Sequence, residues 1–348
     1  MIPPKGAGWW LGSWHFPTIV LGVSLAVAGV AALWAFASAH AGGNVERATG
    51  AEGTLVAVPS VRKPSIQFAP GTAAEKELEN LLDGKDETLD LALANWLVAA
   101  DIPAFQDLGR EGYFRELDTL TQRVREDMAR MRANNGLAKD GNDGATRCRL
   151  FCSALQQLRF SYTEEFRQED LSPAQLKALY ADPNHVFLAG LLRTRRGSCV
   201  SMPLIYLVIG QRLGMPVHLV TLRKHYFIRW EEPGYRMNIE TTIVDRIAVT
   251  PDDAVYLEAE GLKREEVEGS QLRNLKRREV VGMLLYTRSC YWGLKGTAGQ
   301  RQSCSDISRA RQLAPDDPAI KRVQEAVFQR HDIKTEASAN DPKPNSKN

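Results

Sequence analysis

Apolar residues recur every three or four positions through much of the first half of the chain, which is the spacing of amphipathic helices. Three helical segments are predicted there, with apolar stripes at 78–82, 89–97 and 114–131. Clusters of Asn, Asp and Gly at 134–144 then break the pattern. This part of the chain is therefore predicted to be helical.

The middle of the chain contains an almost wholly apolar segment, Met202 to Ile209. Its length predicts a helix that is buried on most sides. Pro203 is compatible with such a helix only in the first turn, and Gly214 is typical of a C-terminal stop. A further helix is predicted before it at about 145–158, and a short helix at 188–192.

Three strand-like runs follow the buried helix, at 217–222, 226–230 and 235–241. From Leu272 onward the pattern is again helical, with a Pro-Asp-Asp-Pro break inside the segment 307–328. These patterns predict an α+β fold, in which a buried helix packs on a small antiparallel sheet with helices before and after it.

The N-terminal segment carries a long uncharged run, apolar or small from Thr18 to Ala39. About 20 such residues are enough for a helix to span a membrane, and tryptophans on both sides resemble an interfacial belt. An uncleaved membrane anchor is the first interpretation. A cleaved signal peptide is the alternative, with Ala39-His40-Ala41 as its cleavage site. Both place the rest of the chain outside the cytoplasm, in the periplasm or at the cell surface.

The patterns divide the chain into five predicted parts. They are an anchor or signal segment at 1–41, a linker at 42–75, an α+β domain at 76–265, a helical extension at 266–330 and a disordered polar tail at 331–348.

Composition adds few constraints. The formal net charge is +2 over 348 residues, and no basic stripe with interleaved aromatic residues is present, so no nucleic-acid partner is expected. Cysteine spacing does not fit a zinc site, and no carboxylate cage suggests calcium, so no metal or cofactor is expected.

The five cysteines leave at least one free thiol if all pairing is within the chain. A disulfide from Cys148 or Cys152 to Cys290 or Cys304 would be compatible with an exported protein, but the sequence does not determine the pairing.

Cys199 is the candidate nucleophile. It lies at the predicted start of the buried helix, and Arg193, Arg195 and Arg196 precede it. A helix N-terminus and nearby cations both favour the reactive thiolate. The alternative is that Cys199 is a small core residue, and its position alone does not decide between the two.

His225 and Glu240 are the candidate base and orienting acid. If 231–234 forms a four-residue hairpin loop, Trp230 pairs with Tyr235 and His225 lies directly opposite Glu240. Their Cβ atoms would then be about 5 Å apart. The alternative is an ordinary surface pair, and a one-residue slip would separate the two side chains.

The order of these residues resembles the transglutaminase-like superfamily. Segment 197–220 (GSCVSMPLIYLVIGQRLGMPVHLV) is similar to its nucleophile helix and first strand. KHYFIRW at 224–230 is similar to its histidine strand, and YRMNIETT at 235–242 to its acid strand.

The resemblance extends to the bacterial SirB-type branch of that superfamily. Segment 89–124 is similar to the helical lead-in of that branch, and 181–197 to its approach to the site. Segment 310–323 is similar to its tetratricopeptide-like C-terminal helices, which would offer a surface for a protein partner.

The resemblance implies a papain-like core with Cys199 as nucleophile, His225 as general base and acid, and Glu240 as orienting acid. The usual acid of the family is Asp, so the longer arm of Glu240 puts the position of the imidazole in doubt. His218 is an alternative base, and His185 is interpreted as a turn residue.

The implied activity is that of a cysteine hydrolase or acyltransferase acting on peptide or protein amides. Hydrolysis is the first choice and transfer to an amine the second. The competing function is a catalytically inactive scaffold of the same fold that binds a protein partner.

Overall fold

The computed structural model describes residues 71–134, 143–166, 171–222, 225–242, 248–250, 252–267 and 269–330. The predicted anchor, nearly all of the linker and the polar tail lie outside these ranges. Among the described helices, none has the length and apolar character needed to cross a membrane.

Four helices form the N-terminal part: α1 (Ala73–Asp83), α2 (Leu91–Ala99), α3 (Arg110–Asn134) and α4 (Gly144–Gln156). Local sequence fixes where the first two begin. Thr72 and Glu75 form a reciprocal capping box at α1, and the Asp90 carboxylate accepts two backbone N–H groups at the start of α2. Helices are thus found where the apolar periodicity predicted them.

Two short parallel strands and three helices precede the sheet. They are β1 (Ser161–Tyr162), α5 (Pro173–Ala181), α6 (Leu188–Thr194), β2 (Arg196–Gly197) and α7 (Met202–Arg212). Every residue of α7 from 202 to 210 is buried, Pro203 lies in its first turn, and Gly214 has a positive φ of 68° after its end. The prediction of a buried helix is confirmed.

The main sheet is antiparallel with strand order β3-β4-β5-β6. Its strands are β3 (Val217–Leu222), β4 (His225–Glu232), β5 (Tyr235–Glu240) and β6 (Ala248–Thr250). Helix α7 packs against β3 and β4. This arrangement confirms the predicted α+β class, although the three-residue strand β6 was not foreseen.

Both faces of the sheet are covered. On β4, Tyr226, Ile228 and Trp230 belong to the main core, whereas Phe227 belongs to a second apolar cluster. This second cluster is completed by side chains from α8 (Ala254–Ala259), α9 (Arg264–Val267) and their connections. Strand β4 therefore lies between two apolar layers, which fixes its orientation.

The predicted register of the β4–β5 hairpin is wrong by two residues. The turn contains only Pro233 and Gly234, so Trp230 pairs with Met237 instead of Tyr235. Gly234 has a positive φ of 78°, which glycine adopts without strain. Because the shift is even, every side chain keeps its predicted face of the sheet.

A buried polar network explains this register. It places Arg229 opposite Asn238, whose side-chain oxygen accepts a hydrogen bond from the guanidinium at 2.7 Å. The predicted register would have placed Arg229 opposite Arg236. Asp253 binds both arginines and Asn238, so the strands are held by a satisfied ionic cluster.

Three helices complete the described chain: α10 (Arg277–Gly293), α11 (Gln300–Leu313) and α12 (Pro318–Arg330). Helix α12 begins at the predicted Pro-Asp-Asp-Pro break, where the Asp317 carboxylate accepts the N–H groups of Ala319 and Ile320. Helix α10 packs against α2 and α5. The C-terminal helices and the lead-in helices therefore share one core.

All five cysteines are free thiols and all are buried. None of the disulfides considered from the sequence is formed in this structure. The thiols of Cys148 and Cys152, one helical turn apart on α4, interact with each other.

Candidate active site

Cys199 lies in a tight turn between β2 and α7, and the residue is only 4% exposed. The Met202 N–H donates to the Ser198 carbonyl at 2.9 Å, so the turn leads directly into the first turn of α7. The thiol is thus held three residues before the helix begins, where the positive end of the helix dipole favours negative charge.

Two serines fix this turn. The hydroxyl groups of Ser198 and Ser201 both donate to the His185 carbonyl, at 2.8 and 2.7 Å. Ser198 Oγ accepts the Val200 N–H, and Ser201 Oγ accepts the Ser198 N–H. His185 ends a short 3-10 helix, Pro183–His185, and its backbone carbonyl anchors the segment that carries Cys199.

His225 and Glu240 form a buried pair. The His225 side chain is 8% exposed and the Glu240 side chain 13%. Nε2 of His225 is 2.5 Å from Oε2 of Glu240. Since an ionised carboxylate can only accept, Nε2 carries the proton of this hydrogen bond.

The shifted register explains how a Glu reaches the imidazole. Continued to the end of β5, it places Glu240 opposite Phe227 and diagonally across from His225. Diagonal neighbours on one face are about 7–8 Å apart at the backbone, a separation that long side chains can bridge. The Thr242 N–H and hydroxyl donate to Oε1 of Glu240 at 3.0 and 2.7 Å, which holds its arm in place.

The second imidazole nitrogen is directed into the protein without a regular partner. Nδ1 of His225 is buried and makes no hydrogen bond that meets ordinary geometric limits. The Cys199 thiol is nevertheless close enough to raise the pKa of His225 through hydrogen bonding and charge. With Nε2 held by Glu240, Nδ1 is the ring nitrogen that remains for the thiol.

The charges around the pair favour an imidazolium. Burial lowers the pKa of His225, but the Glu240 carboxylate and the Cys199 thiol together raise it to about 10. Burial raises the pKa of Glu240, but the imidazolium and Thr242 outweigh this and lower it below the ordinary value. At neutral pH the pair is therefore an imidazolium bound to a carboxylate.

The upstream arginines have a different role from the one considered from the sequence. Arg193 donates to the Ala104 carbonyl at 2.6 Å and to Asn184 at 2.6 Å. Arg195 pairs with Glu116 on α3. The guanidinium groups of Arg193 and Arg195 thus hold the α6–β2 segment against neighbouring parts of the chain.

His218 lies away from this cluster. It pairs with Arg229 across β3–β4, whereas Leu222 pairs with His225. The four residue steps from His218 to Leu222 correspond to about 13 Å along the strand. The structure brings Cys199, His225 and Glu240 together and leaves His218 outside.

The sequence profile of the transglutaminase-like superfamily matches residues 111–285, slightly more than half of the chain. The chain belongs to the transglutaminase-like superfamily. The part that matches the superfamily contains all three candidate residues and ends within α10. Neither a curated protein nor a solved structure matches the chain.

Sequence reasoning missed the residues that support the site of this transglutaminase-like domain. Thr242 follows Glu240 by two positions, a common spacing for a hydroxyl that binds a carboxylate, and could have been noticed. Tyr162 reaches the Cys199 turn through the two-residue strand β1, which has no recognisable sequence pattern. Within the described residues, no group of three or more His, Cys, Asp or Glu side chains could hold a metal ion.

Proposed function

We propose that this protein is a cysteine hydrolase or acyltransferase that acts on peptide or protein amides through Cys199, His225 and Glu240. The observation that supports the proposal is the buried imidazole itself. One nitrogen is 2.5 Å from a carboxylate, and the other is unpaired on the side left for a thiol at a helix start. A nucleophile, its base and an orienting acid need this arrangement.

In the proposed reaction, the Cys199 thiolate attacks the amide carbonyl carbon, and the C=O π pair moves to the oxygen. The tetrahedral intermediate collapses, the C–N bond breaks, and the His225 imidazolium gives its proton to the departing amine. The products of this half-reaction are a thioester on Cys199 and a neutral imidazole.

In the second half, His225 takes a proton from a water molecule as the water oxygen attacks the thioester. Collapse breaks the C–S bond, which releases a carboxylic acid and restores the thiolate and the imidazolium. An amine can replace water, in which case a new amide is released. Hydrolysis is the first choice and amine transfer the second.

The proposal includes the cellular setting that the sequence predicts. The N-terminal segment would anchor the protein in a membrane or direct its export, with the catalytic domain outside the cytoplasm. The SirB-type branch is proposed from the segments at 89–124 and 181–197, and a protein partner from tetratricopeptide-like helices near 310–323. An inactive scaffold is the competing function. The reactivity of the Cys199 thiol distinguishes the enzyme from the scaffold.

The test is site-resolved alkylation with iodoacetamide, followed by peptide mass spectrometry. At about pH 6.5, native Cys199 is expected to react faster than the other four buried cysteines, because an imidazolium stabilises its thiolate. His225→Ala is expected to lower this rate about 100-fold.

His218→Ala is the matched control, since it removes an imidazole from the neighbouring strand and should leave the Cys199 rate unchanged. Chemical unfolding should expose all five thiols to the reagent at similar rates. If native Cys199 is no faster than the other cysteines, or is indifferent to His225→Ala, the scaffold function replaces the enzyme.

A further inference from the structure

The imidazole of His225 lies beside two stacked aromatic rings that the proposed triad does not use. Tyr256 on α8 stacks on Phe227 of β4, with ring centroids 4.1 Å apart and planes 12° apart. The His225 ring lies 6.2 Å from each of them, tilted by 25° from Phe227 and by 22° from Tyr256. The three rings are therefore nearly parallel and within the range of offset stacking.

Phe227 and Tyr256 reach the imidazole in different ways. Phe227 follows His225 by two residues on the same face of β4, so its proximity is a consequence of strand geometry. Tyr256 comes from α8, in the layer that covers this face of the sheet, and is only 4% exposed. The Tyr256 ring thus closes over the face of β4 that carries His225.

Asp253 holds the helix that carries Tyr256 against the sheet. Its side chain accepts from Arg229 on β4 at 2.6 Å and from Asn238 on β5 at 2.9 Å. Its backbone carbonyl accepts the Tyr256 N–H at 3.1 Å, at the start of α8. One residue therefore fixes Tyr256 relative to both strands of the candidate site.

The His225–Glu240 pair lies at the margin of the buried region, since the two side chains are 8% and 13% exposed. A hydrogen bond between charged groups is strong where water is excluded, because water competes for both partners and screens their charges. The imidazole must also keep one orientation, since a displacement of about 1 Å can cost a reaction about 100-fold in rate. A fixed aromatic ring against the imidazole supplies both conditions.

We propose that Tyr256 is a positioning residue, whose ring fixes the plane of the His225 imidazole and excludes water from the His225–Glu240 hydrogen bond. The inference rests on the proposed function and adds a residue that acts through His225 without touching the substrate. The ring has this role and the hydroxyl does not, because stacking and water exclusion require only the aromatic surface.

The test follows the Nε2 proton of His225 by NMR in the full chain at neutral pH. In the wild type this proton should give a separate low-field signal, because it is bound to Glu240 and shielded from water. Tyr256→Leu keeps an apolar side chain but removes the ring. Exchange of the Nε2 proton with water is then expected to be at least about tenfold faster.

Alkylation of Cys199 by iodoacetamide gives a second measurement on the same variant. The rate in Tyr256→Leu is expected to fall about tenfold, because the imidazolium is no longer held beside the thiol. Tyr256→Phe is the matched control, since it keeps the ring and removes only the hydroxyl. Proton exchange and alkylation in Tyr256→Phe should both match the wild type.

Leu257→Ala is the control for a purely structural effect. Leu257 is buried in the same apolar cluster and on the same helix as Tyr256, but it has no ring to stack. Its truncation should lower the free energy of unfolding and leave the Nε2 signal of His225 unchanged.

Nε2 exchange in Tyr256→Leu at the wild-type rate would overturn the inference. An equal effect in Tyr256→Phe would also overturn it, since the hydroxyl would then have the role, and so would an equal effect in Leu257→Ala, which indicates a loosened cluster. If Tyr256→Leu does not fold, the wild type decides. A slowly exchanging Nε2 proton is expected, and one that exchanges too fast to be observed would contradict the exclusion of water.

Failure of the proposed function gives a different result. Wild-type Cys199 would then react with iodoacetamide no faster than the other four cysteines, whereas Nε2 exchange is measured without any reaction of the thiol. A Nε2 proton that Tyr256→Leu exposes, in a protein with an unreactive Cys199, would refute the enzyme and leave Tyr256 as a structural partner of His225.

Discussion

Glu240→Gln is expected to reduce alkylation of Cys199 about 100-fold at pH 6.5. In the wild type, the carboxylate opposes burial and holds the pKa of His225 at about 10. Without that charge, burial is no longer offset by the carboxylate, and the pKa of His225 falls. A thiol without a neighbouring imidazolium is only about 1% thiolate at pH 6.5, because its ordinary pKa is near 8.5 and each unit of pKa is a factor of ten.

The measurement is the alkylation rate of Cys199 between pH 6 and 9. The wild-type rate should persist through this range, and the Glu240→Gln rate should depend on pH as for an ordinary thiol. Glu231→Gln is the control, since Glu231 lies on the same hairpin but is half-exposed and binds Asn274 and Arg236. Identical profiles for Glu240→Gln and wild type would show that the carboxylate does not charge the imidazole.

The His225–Glu240 pair also predicts how the stability of the fold should depend on pH. A raised pKa of His225 stabilises the fold below about pH 6.5, and this contribution is lost as the pH rises toward 10. A lowered pKa of Glu240 stabilises the fold above its ordinary value near 4.5, and this contribution is lost in acid. The free energy of unfolding of Glu240→Gln should therefore fall below the wild-type value chiefly between about pH 4.5 and 10. It should also change less with pH than that of the wild type.

Arg288→Ala is expected to lower the free energy of unfolding by about 3–5 kcal/mol. Arg288 is fully buried and donates to both oxygens of Asp306, at 2.8 and 2.6 Å. It also donates to the Val98 carbonyl at 3.1 Å and to Glu75 at 3.3 Å. Its removal leaves two carboxylates in the core without their cation.

Urea unfolding of the full chain at pH 8 measures this loss, since the carboxylates must then be buried as anions or take up a proton. Arg110→Ala is the matched control. Its pair with Glu77, at 2.8 Å, is exposed on both sides and should contribute about 0–1 kcal/mol. If the two variants lose equal stability, the Arg288 cluster does not join the first helices to the last.

The helix and strand boundaries near the site could be predicted because they depend on local patterns. The apolar run after Cys199 has no polar face, so its burial follows from the sequence. Strand β3 is found at the predicted residues Val217–Leu222 because apolar residues there end at clear turn signals. His225 and Glu240 lie on the same face of the sheet, as predicted, because the error in the predicted register was an even number of residues.

The register itself depends on distant residues. Both a two-residue and a four-residue loop fit the Glu-Glu-Pro-Gly segment, and local pairing preferences do not decide between them. The choice is made by Asp253, which lies beyond β6 and binds Arg229 and Asn238. Tyr162 reaches the site by similarly remote pairing, so no local pattern could have indicated it.

The most direct test that Cys199 and His225 share one site is an NMR titration of the His225 ring in the wild type and in Cys199→Ala. The His225→Ala variant assigns the signal. The wild-type pKa is expected to be about 10, and it should fall when the thiol is removed, because Cys199 helps to raise it. A wild-type pKa near 6.5, or one that Cys199→Ala leaves unchanged, would show that the thiol and the imidazole do not share a site.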